Sequence, residues 1–263
     1  MNGLALAAGG VKGFAHVAVL RLLQENDFKI DVVTGSSAGA IVAALYALYE
    51  DWEKVLKEFS SAVDEQLPAM KKYLKKIEGP NIWSIIHRSL VTLEDYYPFF
   101  RALFGKKTFS DCKIPLGVVA FDAVSLESML VTEGYLVEAV MASSSVPGVF
   151  SPVWLGGTQT VDGGVLRPVP VDEARSLGAD YVVASNFEKE EPKEPQDQME
   201  LLLFLDSWKE KYIKSKELEN ADLVFSHRVN YPWHAFENYR EIYKEAWQAL
   251  CKRRKANEIS FRR

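Results

Sequence analysis

Cysteine is scarce in this sequence: Cys112 and Cys251 are the only two among 263 residues, and neither has a partner at metal-ligand spacing. The sequence therefore offers no disulfide framework and no cysteine-based metal site, and it fits a reduced compartment. We expect a cytoplasmic protein without a metal or other cofactor, one that associates at most peripherally with a membrane.

Long apolar runs and an excess of positive charge are absent as well. No run approaches the roughly 18 apolar residues that a membrane span needs. The first residues, "MNGLALAAGGVKGFAH", lack a basic start and are interrupted early by Gly9-Gly10, so they predict a strand and not a signal peptide. The net charge of −5 argues against a general nucleic-acid binder.

The patterns that are present indicate an α/β protein. Hydrophobic residues make up 48% and charged residues 25% of the chain, which is ordinary for a soluble globular protein. Residues 4–7 and 30–33 predict strands, and residues 12–25 and 37–49 predict helices that follow them. Alternation at this spacing predicts a parallel sheet with right-handed crossovers.

The rest of the chain fits one domain over residues 1–263. Residues 51–110 predict a helical insertion, and "EKEEPKEPQDQ" at about 188–198 predicts a solvated acidic loop. Between them, "VFSPVWLGGTQTVDGG" predicts a hairpin that turns at Gly156-Gly157.

The stretch Gly35-Ser36-Ser37-Ala38-Gly39 places a serine where a buried strand turns into a buried helix. Such a turn lifts the serine hydroxyl out of the backbone, and glycines at its ends let the neighbouring chains come close. Ser37 is therefore a candidate nucleophile. The alternative is a small-residue turn that only lets the helix pack on the strand.

A second glycine-rich stretch, Gly9-Gly10-Val11-Lys12-Gly13, also joins a strand to a helix. If the first two strands are neighbours in a parallel sheet, both loops emerge at its carboxyl edge. The N–H groups of Gly9 and Gly10 would then face Ser37 and could hold the oxyanion of an acyl-transfer reaction. A dinucleotide-binding loop is the alternative, weakened by Ala8 in place of the first glycine and by Thr34-Gly35 where an acidic residue should end the second strand.

A serine nucleophile needs a base, and the sequence offers two arrangements. Ser37, Asp162 and either His227 or His234 follow the chain order of the α/β-hydrolase triad. In that fold several strands precede the serine turn, whereas here only one does. Asp162 in Val161-Asp162-Gly163-Gly164 is the better candidate on its own, because it closes an apolar strand at an open edge. A plain Asp-Gly turn is the alternative.

Taken in order, Gly-Gly-x-Lys-Gly, Gly-x-Ser-x-Gly and Asp-Gly-Gly resemble the motifs of the patatin-like phospholipases in their short bacterial form. "ASSSVPGVFSPV" (142–153) and "PVPVDEARSLGAD" (168–180) resemble the family's segments on either side of Asp-Gly-Gly. The resemblance covers residue 3 to about 185. It implies a three-layer α/β/α sandwich with a mainly parallel central sheet, and hydrolysis of lipid acyl esters by a Ser-Asp dyad without histidine.

The resemblance also implies roles for individual residues. Ser37 would be the nucleophile and Asp162 the general base and later the general acid. The loop of Gly9, Gly10, Val11, Lys12 and Gly13 would bind the oxyanion, with Lys12 at the family's Arg/Lys position. The remaining motif glycines are Gly35, Gly39, Gly163 and Gly164.

Two positions depart from the family pattern, since Ala8 replaces a glycine and Arg167 stands where Asn is common. Neither removes a catalytic group, and both catalytic residues are intact, which argues against the further alternative of a non-enzymatic regulatory module. The substrate implied is a lipid or another acyl ester, and its head group and acyl length stay open.

Two aromatic segments suggest surfaces for such a substrate. Residues 82–104, "IWSIIHRSLVTLEDYYPFFRALF", are more apolar than docking one helix requires, and we expect them to form the wall or lid of an acyl-chain site. Near the end of the chain, aromatic and apolar residues share one helical face ahead of Lys252-Arg253-Arg254-Lys255. That face predicts a transient membrane contact, or alternatively core packing. Its members are Phe236, Tyr239, Tyr243, Trp247 and Leu250.

Overall fold

The computed structural model of the chain describes residues 1–77, 89–188 and 194–256. The strands are β1 (Asn2–Leu6), β2 (Val32–Ser36), β3 (Leu116–Asp122), β4 (Glu127–Val131), β5 (Val153–Leu155), β6 (Thr158–Asp162), β7 (Tyr181–Phe187) and β8 (Leu223–His227). The α-helices are α1 (Gly13–Gln24), α2 (Ala38–Tyr49), α3 (Trp52–Ile77), α4 (Leu93–Phe104), α5 (Leu136–Ser143), α6 (Val171–Ser176), α7 (Gln198–Leu218) and α8 (Tyr239–Lys255).

The strands form one mainly parallel sheet in the order β5-β6-β3-β2-β1-β7-β8, with β4 paired to β3. The adjacent strands β3, β2, β1, β7 and β8 run parallel to one another. Strands β4 and β6 each pair with β3 in the antiparallel sense. The predicted pairing of the first two strands is confirmed, with Leu4 opposite Val33 and Leu6 opposite Gly35. Both glycine-rich loops therefore leave the same edge of the sheet.

Helices flank the sheet, which confirms the predicted three-layer sandwich. Helix α2 packs on β1, β2 and β3, and α6 packs on β1, β2 and β7. Strand β2 is buried on both faces because helices cover it, so its sequence does not alternate between apolar and polar residues. Helix α2, "AGAIVAALYALY", is buried nearly all round, as its even apolar composition requires.

The insertion and the hairpin follow the sequence prediction, with small shifts at element ends. Residues 51–110 contain α3 and α4, and β5 and β6 turn at Gly156-Gly157. Residues 189–193 of the predicted acidic loop lie outside the described residues. Residues 82–88 of the predicted acyl-chain wall also lie outside them.

The sequence pattern of the closing helix left two alternatives open for its aromatic face, a membrane contact or packing in the core. Tyr239 is 3% exposed and Leu250 is 1% exposed, and Trp247 lies under the Arg21 guanidinium at 3.9 Å. Helix α8 packs along α1, so this face belongs to the core. Core packing is thus the alternative that the structure shows for this face, since aromatic residues at helical spacing fit a core as readily as a bilayer.

Helices within residues 1–77, 89–188 and 194–256 all fall short of the apolar length that crossing a bilayer requires.

Candidate active site

Ser37 lies in a sharp turn between β2 and α2. Its backbone adopts φ +55° and ψ −121°, a conformation that residues with a Cβ rarely take. Such strain at a strand-to-helix joint is typical of a nucleophile elbow, in which the turn presents the hydroxyl at the sheet edge. The residue is 7% exposed, so its hydroxyl is largely shielded from bulk water.

The glycines on either side permit this turn. A Cβ at Gly39 would lie 2.1 Å from the carbonyl oxygen of Leu6, and one at Gly35 would lie 2.4 Å from the carbonyl carbon of Gly39. Strand β1, strand β2 and helix α2 therefore meet at backbone distance beneath Ser37. Any larger residue at either position would push Ser37 away from the edge.

Ser143, which the sequence analysis did not single out, binds the backbone of the turn at Ser37. The hydroxyl of Ser143, at the end of α5, accepts the backbone N–H of Ser37 at 2.8 Å and donates to the carbonyl oxygen of Val119 at 2.5 Å. Ser143 is fully buried. It lies in the 142–153 segment that resembles the family, but no local pattern distinguishes it from the serines beside it.

Asp162 ends β6 and faces Ser37 across the edge. Its carboxyl accepts a 2.7 Å hydrogen bond from the Gly164 N–H, and the Ser37 side chain is near enough to lower the pKa of the carboxyl. The Asp162 N–H donates to the carbonyl oxygen of Ser145 at 3.0 Å. A Cβ at Gly163 would lie 2.2 Å from the carbonyl oxygen of Val119, so the turn after Asp162 presses directly on β3.

Burial raises the pKa of Asp162 to about 6. The Ser37 side chain and the hydrogen bond from Gly164 oppose this shift, and the negative charge of Glu210 adds to it. A carboxylate at this pKa is a stronger base than an ordinary one and is still ionised at neutral pH.

The Gly9–Gly13 loop borders the same site, but its five N–H groups differ in their partners. The Val11 N–H donates to the carbonyl oxygen of Trp233 at 2.7 Å, the Lys12 N–H to Gly9, and the Gly13 N–H to Gly10 and Val11. Within the described part of the chain, the Gly9 and Gly10 N–H groups have no acceptor. They are the two donors that could serve an oxyanion.

Gly10 has the conformation that fixes this loop. Its φ is +59°, and a Cβ there would lie 2.3 Å from the carbonyl oxygen of Trp233. Only glycine fits, since both the backbone conformation and the close approach exclude a side chain. The contact joins the loop to a segment more than 200 residues away in the chain.

Of the two departures from the family pattern, Ala8 lines the cavity that contains Ser37. Ala8 donates its N–H to the carbonyl oxygen of Pro168 at 2.9 Å. Arg167 forms ion pairs with Asp172 at 3.4 Å and Glu173 at 3.2 Å on α6. Arg167 does not line the cavity that contains Ser37.

Two histidines, His16 and His227, form contacts with groups other than Ser37 and Asp162. His16 donates Nε2–H to the Ala7 carbonyl oxygen at 2.9 Å, so its Nδ1 accepts the Ser185 hydroxyl at 2.7 Å. His227 Nε2 lies 3.3 Å from the same hydroxyl. Burial lowers the pKa of His16 to about 3 and that of His227 to about 4, so both are neutral.

His234 does not supply a base either. His234 packs edge-on against Trp233, with ring centroids 5.3 Å apart, and is not among the residues that line the cavity. His87 lies outside the described residues. The triad arrangement with His227 or His234 therefore has no support in the geometry.

A cavity of 890 Å³ brings the candidate groups together. Ser37, Asp162, Gly9 and Gly10 all line it. Much of its wall is apolar and comes from α2, α3, α4 and the loop before β5: Ile41, Phe59, Met70, Tyr96, Phe99, Phe100, Val146, Pro147 and Phe150. Charged residues, mostly of α7, line another part: Lys12, Glu188, Asp206, Lys209, Glu210 and Lys214. The cavity therefore suits an amphiphilic molecule.

Among the residues that the structure describes, no three His, Cys, Asp or Glu side chains are grouped as a metal site would require.

Comparison with known proteins relates this geometry to one family. The model of the patatin-like phospholipase family matches residues 4–175, a range that contains Ser37, Asp162 and the Gly9–Gly13 loop. The chain is 28% identical over 199 residues to an uncharacterized NTE family protein of Mycobacterium tuberculosis, covering 74% of this chain and 51% of that protein. It is 27% identical over 185 residues to Lysophospholipase NTE1 of Pyricularia oryzae, covering 69% of this chain and 12% of that protein.

The chain thus spans about half or less of the curated relatives it matches. Among solved structures, VipD from Legionella pneumophila superposes with a TM-score of 0.52 at 16% identity, over 95% of this chain and 67% of that one. At this identity the likeness supports the fold alone.

Proposed function

The chain belongs to the patatin-like phospholipase family, and we propose that it is a serine hydrolase that cleaves acyl esters of lipids by a Ser37–Asp162 dyad. The observation that carries this proposal is that Ser37, at a strained elbow, and the buried Asp162 carboxyl line one largely apolar cavity, where the Ser37 side chain influences the pKa of that carboxyl.

The chemistry follows from these groups. Asp162 takes the Ser37 proton while Ser37 Oγ attacks the ester carbonyl carbon, and the N–H groups of Gly9 and Gly10 receive the developing oxyanion. Asp162 then returns the proton to the departing alcohol, which leaves an acyl-enzyme on Ser37. Water attacks this ester while Asp162 takes its proton, Asp162 then returns the proton to the departing Ser37 Oγ, and the carboxylic acid is released.

The substrate class follows from the cavity and from a relative. One wall of the cavity is apolar and aromatic, which fits an acyl chain, and the α7 side is charged, which fits a polar head. The Pyricularia relative is named a lysophospholipase. We therefore propose phospholipids or lysophospholipids as substrates.

Fluorophosphonate labelling tests the proposal. We expect one covalent adduct, mapped to the peptide containing Ser37, because Asp162 activates this hydroxyl alone. Asp162 must be ionised to act as a base, so the labelling rate should fall as pH is lowered through about 6. Rates measured between pH 4.5 and 8 by mass spectrometry check both points.

Ser36→Ala is the matched control, since Ser36 is the adjacent buried serine and its hydroxyl does not face the cavity. It should label at the wild-type rate. An adduct on another residue, or a rate that is flat from pH 5 to pH 7, would contradict the proposed dyad.

Phe100→Ala tests the acyl-chain wall. Phe100 lines the cavity, is 5% exposed, and packs edge-on against Tyr96 and Phe99. Removing its ring enlarges the cavity, so the preferred chain should lengthen. We expect kcat/KM for long-chain p-nitrophenyl esters to change several-fold more than kcat/KM for the acetate ester.

Phe104→Ala is the matched control, because Phe104 is on the same helix, is 1% exposed and does not line the cavity. Both changes should lower Tm, since a buried Phe→Ala change costs about 3–5 kcal/mol. Phe104→Ala should leave the chain-length profile unaltered. If Phe100→Ala and Phe104→Ala change all esters equally, the ring of Phe100 only stabilises the fold.

A further inference from the structure

Helix α7 has two different faces. One face lines the cavity through Asp206, Lys209, Glu210, Ile213 and Lys214. The other face carries large apolar side chains in solvent, which we call the α7 stripe: Leu202, Leu205, Trp208 and Tyr212, exposed by 62%, 46%, 55% and 52%. Their spacing of three, three and four residues places them in one row along the helix.

The stripe is unusual for this chain. Within residues 1–77, 89–188 and 194–256, the other large exposed apolar residues lie at the N-terminus, in loops and turns, and at one position each of β5 and α4. On α7 the rings of Trp208 and Tyr212 are stacked in solvent, with centroids 5.6 Å apart and planes 11° apart. A continuous exposed apolar row marks an interaction surface rather than ordinary scatter.

The stripe borders the cavity-lining face of the same helix. Lys209 lines the cavity and lies four residues after Leu205 and three before Tyr212, so their side chains are neighbours on the helix surface. Whatever covers the stripe therefore lies beside the charged wall of the cavity that contains Ser37.

We propose that the α7 stripe docks this protein on the surface of a lipid bilayer, so that a lipid can pass from the bilayer into the cavity along α7. The proposal rests on the proposed function, which requires access to a membrane lipid. Trp and Tyr favour the boundary between head groups and acyl chains, because their rings are apolar and their N–H and O–H groups are polar. Leu202 and Leu205 would enter the acyl region beside them.

The charges on α7 indicate what kind of bilayer it binds. Four acidic residues balance four lysines along the helix: Glu200, Asp206, Glu210 and Glu217 against Lys209, Lys211, Lys214 and Lys216. The whole chain carries a net charge of −5. Attachment is therefore hydrophobic, without preference for anionic lipid, unlike attachment through a polybasic segment.

Vesicle co-sedimentation of the full chain tests the surface. Wild type should bind phosphatidylcholine vesicles, and its affinity should change less than about threefold between low salt and about 0.5 M salt. The double variant Leu205→Ser/Trp208→Ser should lose at least about tenfold in vesicle affinity, because two apolar side chains no longer leave water on binding.

Trp154→Ser is the matched control, because Trp154 is 69% exposed on β5 and does not line the cavity. It should bind vesicles within about twofold of wild type. All three proteins should hydrolyse a soluble short-chain ester equally, while the double variant loses activity on vesicle lipid in proportion to its binding.

Several outcomes would overturn the proposal. The proposal fails if wild type does not bind phosphatidylcholine vesicles, or if it binds only anionic vesicles. It also fails if the double variant binds vesicles as tightly as wild type. Self-association of wild type that the double variant abolishes, with no vesicle binding, would make the stripe a contact between copies of this chain. Vesicle binding that needs the stripe, without hydrolysis of any ester, would support the docking surface and refute the proposed function.

Discussion

Ser37→Ala should reduce kcat for short p-nitrophenyl esters by about 10³-fold or more, to the level left by binding and oxyanion stabilisation alone. The variant should keep its circular dichroism spectrum and melt close to wild type. The change removes one hydroxyl from a side chain that is 7% exposed and leaves α2 and β2 packed as before. Alanine carries the same Cβ at φ +55°, so the backbone strain is unchanged.

Ser144→Ala is the control that separates the nucleophile from its surroundings. Ser144 lines the same cavity, and its buried hydroxyl has no hydrogen-bond partner among the described residues. It should keep wild-type kcat within a few-fold. If purified Ser37→Ala retained more than a few per cent of wild-type kcat, Ser37 would not be the nucleophile.

The local geometry of this site could be predicted because it is set by residues close in sequence. The glycines at 35 and 39 require a tight turn, and the apolar runs on both sides require a buried strand and a buried helix. Parallel pairing of β1 and β2 then brings the two glycine-rich loops to one edge. Each step depends on a short pattern and on the rules for sheets.

The partners that hold the loops could not be predicted, because they come from distant parts of the chain. The carbonyl oxygen of Trp233 binds Val11 and so leaves Gly9 and Gly10 as the free donors of the loop. Ser143 holds the Ser37 backbone from 106 residues away. Ser143 is one of three consecutive serines and Trp233 lies in a loop, so no local sequence pattern predicts these contacts.

The aromatic face of α8 and the α7 stripe show a second limit of sequence patterns. Both present aromatic residues at helical spacing, yet Tyr239 is 3% exposed and Trp208 is 55% exposed. The two faces differ in exposure because α8 packs along α1, which buries its aromatic residues. Spacing shows that residues share a face, and only packing shows what that face meets.

Asp162→Asn should lower kcat by about 10³-fold or more while leaving the site geometry intact. The asparagine side chain keeps the shape of the carboxyl, and its oxygen can still accept the Gly164 N–H, which lies 2.7 Å from Asp162 Oδ1. An amide cannot take the Ser37 proton, so the hydroxyl loses its base. Single-turnover and steady-state assays with p-nitrophenyl butyrate measure the loss.

The same variant should be more stable than wild type at neutral pH. Burial raises the pKa of Asp162 to about 6, above its usual value near 3.8. A group with a raised pKa stabilises the fold fully below about pH 4 and loses that contribution as pH rises through about 6. Relative to Asp162→Asn, wild type should therefore lose roughly 3 kcal/mol between pH 4 and pH 7, seen as a lower Tm at pH 7 and an equal Tm at pH 4.

His227→Gln is the variant that distinguishes a dyad from a triad. His227 is neutral and lies 3.3 Å from the Ser185 hydroxyl, so its loss should lower Tm and leave kcat within a few-fold of wild type. A member of a triad would instead carry an effect of about 10³-fold or more. A loss of that size in His227→Gln or His234→Gln, with Asp162→Asn retaining activity, would move the base from Asp162 to a histidine. The combination expected here, an inactive but stabilised Asp162→Asn and an active but destabilised His227→Gln, fits only a carboxylate held buried beside Ser37 to act as its base.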